Sequence, residues 1–276
     1  MYYLFLFGEF LASIFPRRIC YFIARQLSLI KFYLSKKDRE ALYYNFSAII
    51  PDKKKIKKVA KESFINFGYY LVDFFRYSKL NLDFIKKYVK IENIFYLDNY
   101  VKEKKGLIIL TAHIGNYELG GVIASILGYK FNAVVLSHKD KRLDRFFNKK
   151  REMFGMGVIP IKGSAKKCLS VLDKKQFLCL LGDRDFTDSA IETNFFNRKA
   201  LIPRGFAFFA KRKKVDVLAG FFIRENTFYY RFIFEEPIKY SEDKKEEDMI
   251  REYVSVLEKY IKKYPEQWYI FEKYWL

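Results

Sequence analysis

Residues 106–121, "GLIILTAHIGNYELGG", govern how the rest of the chain is read. An apolar run suited to a buried strand leads into Gly115, which permits a sharp turn, and Asn116, a strong helix N-cap. The stretch therefore predicts strand, turn and helix in succession, with His113 at the strand end and Glu118 in the first helical turn. Two readings of His113 follow. Imidazole and carboxylate can meet across such a turn, the carboxylate fixing the tautomer while the free nitrogen takes a proton. Alternatively, His113 is a strand-end polar residue satisfied by a carbonyl. Under the first reading, backbone N–H groups at the helix start are available to an oxyanion. With no GxSxG elbow and no suitably placed cysteine, the nucleophile is then the substrate's own hydroxyl.

Outward from this stretch, "VKI" (89–91), "FNAVVLS" (131–137), "MGVIPI" (156–161) and "QFLCLLG" (176–182) are further strand candidates with helical stretches between them. The alternation predicts an α/β fold, a largely parallel central sheet covered by helices. In such sheets the ligand crevice lies beyond the carboxyl ends of the strands. His113, Ser137, His138, Gly163, Ser164, Asp183 and Asp185 should therefore gather on one edge. His138 reads as a rim histidine. "GDRDF" (182–186) sets two carboxylates around Arg184, compatible with a metal, an internal ion pair or substrate positioning. "IKGSAKK" (161–167) is a possible phosphate perch without a Walker signature, and reads more simply as a helix start. Later, "VDVLAGFFIRE" and "TFYYRFIFEEP" look like adjacent strands, and residues 243–265 form a closing helix ended by Pro265.

Composition narrows the function classes. Lys and Arg number 52 against 32 Asp and Glu, a formal charge of +20, which implies an anionic partner. Three widely spaced cysteines, Cys20, Cys168 and Cys179, form no disulfide framework or zinc set, so a reducing, cytosolic setting is expected. Aromatics make up 20% of the chain, more apolar surface than a core requires. The N-terminal "MYYLFLFGEFLASIF" would reach only ~21 Å as a helix, short of a ~30 Å hydrocarbon core, and lacks the marks of a secretory signal. "RRICYFIARQLSLIKFYL" resembles an interfacial helix with snorkelling cations, the other reading being a helical hairpin buried against the core. Two amphipathic helices divided at "IIPDKK" should follow. The predicted organisation is thus residues 1–35 as membrane-associated helices, 36–88 as a helical entry and 89–276 as an α/β catalytic core.

"HIGNYE", "GDRDF" about seventy residues later, "FFNRKALIPRGFAFFAKR" (195–212) and the terminal "PEQWYIFEKYW" (265–275) together resemble the bacterial lipid A biosynthesis late acyltransferases, a family that includes relatives acylating mannosylated phosphatidylinositol. The resemblance runs from about Lys36 to the C-terminus. It implies a glycerol-phosphate acyltransferase-like fold and a membrane-associated enzyme moving a fatty acyl chain from acyl carrier protein or coenzyme A to a glycolipid hydroxyl. It implies His113 as general base, Glu118 as its orienting acid, and Arg151 and Asp183 as further catalytic residues. Gly115, Asn116, Arg184, Asp185 and Arg204 become expected substrate contacts. No metal or cofactor is required, nor any nucleic acid. The expected location is the cytoplasmic face of the bacterial inner membrane, on anionic lipid. The chain departs from the family pattern at Tyr117, where tryptophan is common, at Arg184 between the aspartates, and at Asn197 and Ile202.

Three other readings compete. A lysophosphatidate-type glycerolipid acyltransferase would use the same His/Glu logic, but the terminal "PEQW" disfavours it. A basic nucleic-acid-binding module fits the charge yet has no RNA-binding signature or zinc spacing. A non-catalytic membrane adaptor could retain the same fold.

Overall fold

The stretch at 107–111 forms a central strand because it has apolar side chains on both faces, which is stable only where helices cover both. The computed structural model describes residues 1–276. Its N-terminal half begins with helices α1 (Tyr2–Ile14), α2 (Arg17–Leu34), α3 (Lys36–Phe46), α4 (Lys53–Phe75) and α5 (Leu82–Tyr88). Then come β1 (Val89–Glu92), α6 (Phe95–Lys102), β2 (Leu107–Thr111), α7 (Tyr117–Ile126), β3 (Phe131–Val135), α8 (Lys141–Glu152), β4 (Gly157–Pro160), α9 (Ala165–Asp173) and β5 (Phe177–Leu181). The chain finishes with β6 (Ala190–Phe195), β7 (Arg198–Pro203), α10 (Gly205–Lys213), β8 (Val217–Arg224), β9 (Tyr230–Phe234) and α11 (Glu246–Lys263).

Seven strands form one sheet in the order β1-β9-β8-β2-β5-β3-β4. Every neighbouring pair is parallel except β8–β9, so the expected α/β architecture with a mostly parallel sheet is what the chain adopts. Side chains alternate between two cores: Ile108, Leu110, Leu178 and Val217 meet α10, α11 and the first half of α4, while Leu107, Ile109, Phe177 and Leu218 meet α6 and α7.

The hairpin β6–β7 was not anticipated. Its two-residue turn holds Phe196 and Asn197 at φ 52° and 57°, the both-positive pattern of a type I′ turn. Asparagine is among the few non-glycine residues that tolerate this backbone, which accounts for Asn197 where the family pattern has glycine.

The helical entry follows the sequence closely. Asp52 caps α4 through Lys54 N at 2.8 Å. Helix α2 lies tightly against α4 at Gly68, where an added Cβ would stand 2.2 Å from Ser28 Oγ. The buried side of α2 agrees with the reading of a hairpin packed against the core. Cys20, Tyr21, Ala24 and Phe32 are buried against the body, while Phe22, Leu27, Ile30 and Leu34 on the other side of α2 are exposed, as are Leu4, Phe7 and Phe10 of α1. No helix is long and apolar enough to cross a membrane.

Candidate active site

Parallel register carries His113 to its partner. Thr111 lies opposite Leu181 in the β2–β5 pair, and Gly182 N extends the ladder by donating to Thr111 O at 2.7 Å. Two residues beyond each strand end stand His113 and Asp183, now level with one another. His113 Nδ1 is 2.8 Å from Asp183 Oδ1, and His113 N donates to Asp183 Oδ2 at 3.0 Å. Trp268 Nε1 donates to the same oxygen at 3.1 Å. The Asp183 side chain is 0% exposed and that of His113 is 13% exposed. Burial alone would raise the Asp183 carboxyl, but the adjoining imidazole and the hydrogen bonds from His113 and Trp268 outweigh it and hold the group below the usual carboxylate range.

The expected role of Glu118 is corrected here. Both of its oxygens go to Arg151: Nε donates to Oε2 at 2.8 Å and Nη2 to Oε1. Neither reaches the histidine ring. The cause is helical geometry, since the first turn of α7 aims residue 118 sideways at α8 while the imidazole turns toward β5. Burial by itself would lower the Arg151 guanidinium, yet the Glu118 carboxylate keeps it raised and charged. Tyr117 packs edge-on against the His113 ring, with centroids 5.2 Å apart.

Gly115 and Asn116, expected as substrate contacts, instead build the turn behind the site. Gly115 has φ +64°, and a Cβ there would meet Phe222 O at 2.2 Å, so only glycine fits. Gly115 N donates to Gln267 O, Asn116 N to Phe222 O, and Leu119 N to Asn116 Oδ1. Those donors are occupied by the fold, which removes them from the expected oxyanion hole.

A cavity of about 960 Å³ opens beside His113. Its polar lining includes Arg184, Asp185 and Arg204, with Glu118, Arg151 and His138 also reaching it. Its interior is mainly apolar and draws on both sides of the sheet: Gly121, Ala133 and Met156 on the α7 side, Val134, Cys168 and Phe209 on the other. This crossing is possible because β3 and β5 pair only as far as Ala133 and Cys179 and then separate. Phe5 of α1 closes part of the cavity, set 5.3 Å from Phe147. No three His, Cys, Asp or Glu side chains come together as metal ligands. An alkyl chain fits such an apolar interior, and an imidazole at its mouth with a buried carboxylate on Nδ1 can take a proton at Nε2.

The terminal "PEQW" implied that Trp268 and Trp275 pack against the catalytic core, and both are buried there; sequence reasoning missed the His113–Asp183 pairing and the hydrogen bond from Trp268 to that carboxylate. The signal was present in the equal offsets of His113 and Asp183 from their strand ends.

A family model described as bacterial lipid A biosynthesis acyltransferase matches residues 1–276. The phosphatidylinositol mannoside acyltransferase of Mycolicibacterium smegmatis is 24% identical over 149 residues, 52% of this chain and 49% of the relative. That of Mycobacterium tuberculosis is 25% identical over 146 residues, 51% of this chain and 46% of the relative. The matched region thus spans about half the length of these relatives.

Proposed function

The chain belongs to the bacterial lipid A biosynthesis acyltransferase family, and we propose that it transfers a fatty acyl group from a thioester donor to a hydroxyl of a glycolipid. The observation that carries this reading is His113, held at Nδ1 by a buried carboxylate and facing a large apolar cavity. With Nδ1–H donated to Asp183, Nε2 is the free base. It takes the proton of the acceptor hydroxyl as that oxygen attacks the thioester carbonyl carbon. That attack forms the C–O bond and a tetrahedral intermediate, which collapses to the ester as the C–S bond breaks, and the leaving thiolate recovers the proton from the imidazolium. Asp183 does not touch substrate; it fixes the tautomer and stabilises the imidazolium. The Glu118–Arg151 ion pair forms a fixed polar part of the cavity wall, and Arg184, Asp185 and Arg204 are available to the polar headgroup of the acceptor.

Acyl carrier protein and coenzyme A are both donors in keeping with a charge of +20. The exposed apolar residues of α1 and α2 support seating on anionic lipid at the cytoplasmic face of the inner membrane. The related enzymes favour a mannosylated phosphatidylinositol or lipid A precursor as acceptor. The test incubates purified protein with isotopically labelled acyl carrier protein or acyl coenzyme A and each acceptor lipid, and identifies the ester by mass. Label entering neither glycolipid but entering lysophosphatidate would replace this reading with the glycerolipid one.

A further inference from the structure

Behind the "HIGNYE" turn is a buried charge cluster that the transfer chemistry does not use and that does not line the cavity. Asp73, near the end of α4 and 5% exposed, is its centre. Its carboxylate accepts from Asn116 Nδ2 at 2.8 Å, from Tyr230 Oη at 2.6 Å, and from the Arg224 guanidinium and the Tyr21 hydroxyl. Arg17, the first residue of α2, adds Nη2 at 3.7 Å from Asp73 Oδ1. That guanidinium lies 5.0 Å from the Tyr21 ring centroid and 5.3 Å from that of Tyr230, and donates to Phe228 O at 3.1 Å.

Two routes lead from this cluster to the histidine. Through side chains, Asp73 holds the Asn116 amide so that its carbonyl faces Leu119 N and caps α7. Through the main chain, Arg224 N donates to Gln267 Oε1 at 2.9 Å and Gln267 Nε2 to Arg224 O at 2.8 Å. Gln267 O in turn accepts from Gly115 N at 2.9 Å, and Tyr269 N donates to His113 O at 2.8 Å. Buried ion clusters are a poor source of stability, because apolar packing of equal volume often stabilises as much or more. What such a cluster does supply is a defined geometry, and here that geometry ends on the backbone of His113.

We infer that Asp73 is a positioning residue for His113, and that Arg17 makes the α1–α2 hairpin part of the same device. Seating of the hairpin against α4 completes the cluster around Asp73. The cluster sets the Asn116 cap, the cap sets the turn, and the turn sets the imidazole. A hairpin that leaves α4 takes Arg17 with it and loosens the base, and it also withdraws Phe5 from the cavity wall.

The chain has only two histidines, so full-length protein labelled with ¹⁵N-histidine gives two sets of ring signals, assigned with His138→Gln. In Arg17→Ala the His113 ring signals should shift or broaden while those of His138 stay in place, and Arg17→Lys should recover part of the wild-type position. The kinetic effect rests on the transfer reading: with a short-chain soluble donor and acceptor, kcat should fall about tenfold with KM nearly unchanged, as expected for a misplaced catalytic group. Asp73→Asn should act more strongly in both measurements; if it does not fold, Arg17→Ala decides. His113 signals that coincide with wild type in folded Arg17→Ala, or that move only together with those of His138, overturn the inference. Signals that move in a protein showing no acyl transfer leave the coupling standing and remove the transfer reading.

Discussion

Two carboxylates flank His113, and the chain uses them differently. Asp183, seventy residues away, is fully buried and gives its oxygens to the histidine and Trp268. Glu118, only five residues away, gives both of its oxygens to Arg151 of α8. Strand register, which sets neighbours across the sheet, selected the partner that chain proximity did not. Under the proposed mechanism the first carboxylate belongs to the proton-transfer machinery, while the second lines the cavity.

The sharpest way to break this division is to remove each group in turn. His113→Ala is expected to lower kcat/KM by about 10²–10⁴-fold, the usual worth of a positioned base. Asp183→Asn should approach that loss while keeping the fold, because an amide can select the wrong imidazole tautomer and cannot balance the imidazolium. Glu118→Gln should cost much less in kcat. Steady-state rates on the three purified variants decide it, and a Glu118→Gln loss exceeding that of Asp183→Asn would return the orienting role to Glu118.

Glu118 should instead appear in stability. Its removal leaves the Arg151 guanidinium buried and incompletely paired, which costs about 3–5 kcal/mol in comparable settings. Adding Arg151→Met should recover much of that loss. Urea unfolding of the single and double variants measures it, and additive losses would contradict a paired role.

A smaller effect concerns the cavity beyond the pair. Gly121 lines it, and a Cβ there meets only the flexible Met156 Sδ, at 2.9 Å. Gly121→Leu should fold and shift preference toward shorter acyl donors by about tenfold, since a methylene in an apolar pocket is worth roughly 1–3 kcal/mol. Competition between a medium-chain and a long-chain donor reads this shift, and an unchanged ratio would place the acyl chain in the arm beside Cys168 and Phe209.

How much of this was legible beforehand depended on whether the signal was local. The strand from Leu107, the Asn116 cap of α7 and the Asp52 cap of α4 rest on neighbours in sequence, and they formed where expected. The edge location of His113 and Asp183 followed from strand ends alone. Their contact did not, because it required knowing that β5 inserts between β2 and β3 in the sheet. The burial of Gly115 and Asn116 depended likewise on Phe222 and Asp73, distant in sequence. The β6–β7 hairpin was hidden because its turn is Phe-Asn rather than a glycine pair.

The least conspicuous consequence of the division lies in acid. Asp183 titrates below its unfolded value, near 3.9, so the unfolded state binds more protons in that range and stability rises with pH. The contribution is complete above about pH 4 and is lost as pH falls through the folded-state value. Asp183→Asn has no such group to titrate. The stability gap between wild type and this variant should therefore hold steady near neutrality and close as pH drops below about 4. Chemical denaturation at a series of pH values measures the gap. A gap that stays constant to the lowest pH at which both proteins fold would mean that the His113–Asp183 pair adds nothing to the folded state, and that the carboxylate serves the imidazole alone.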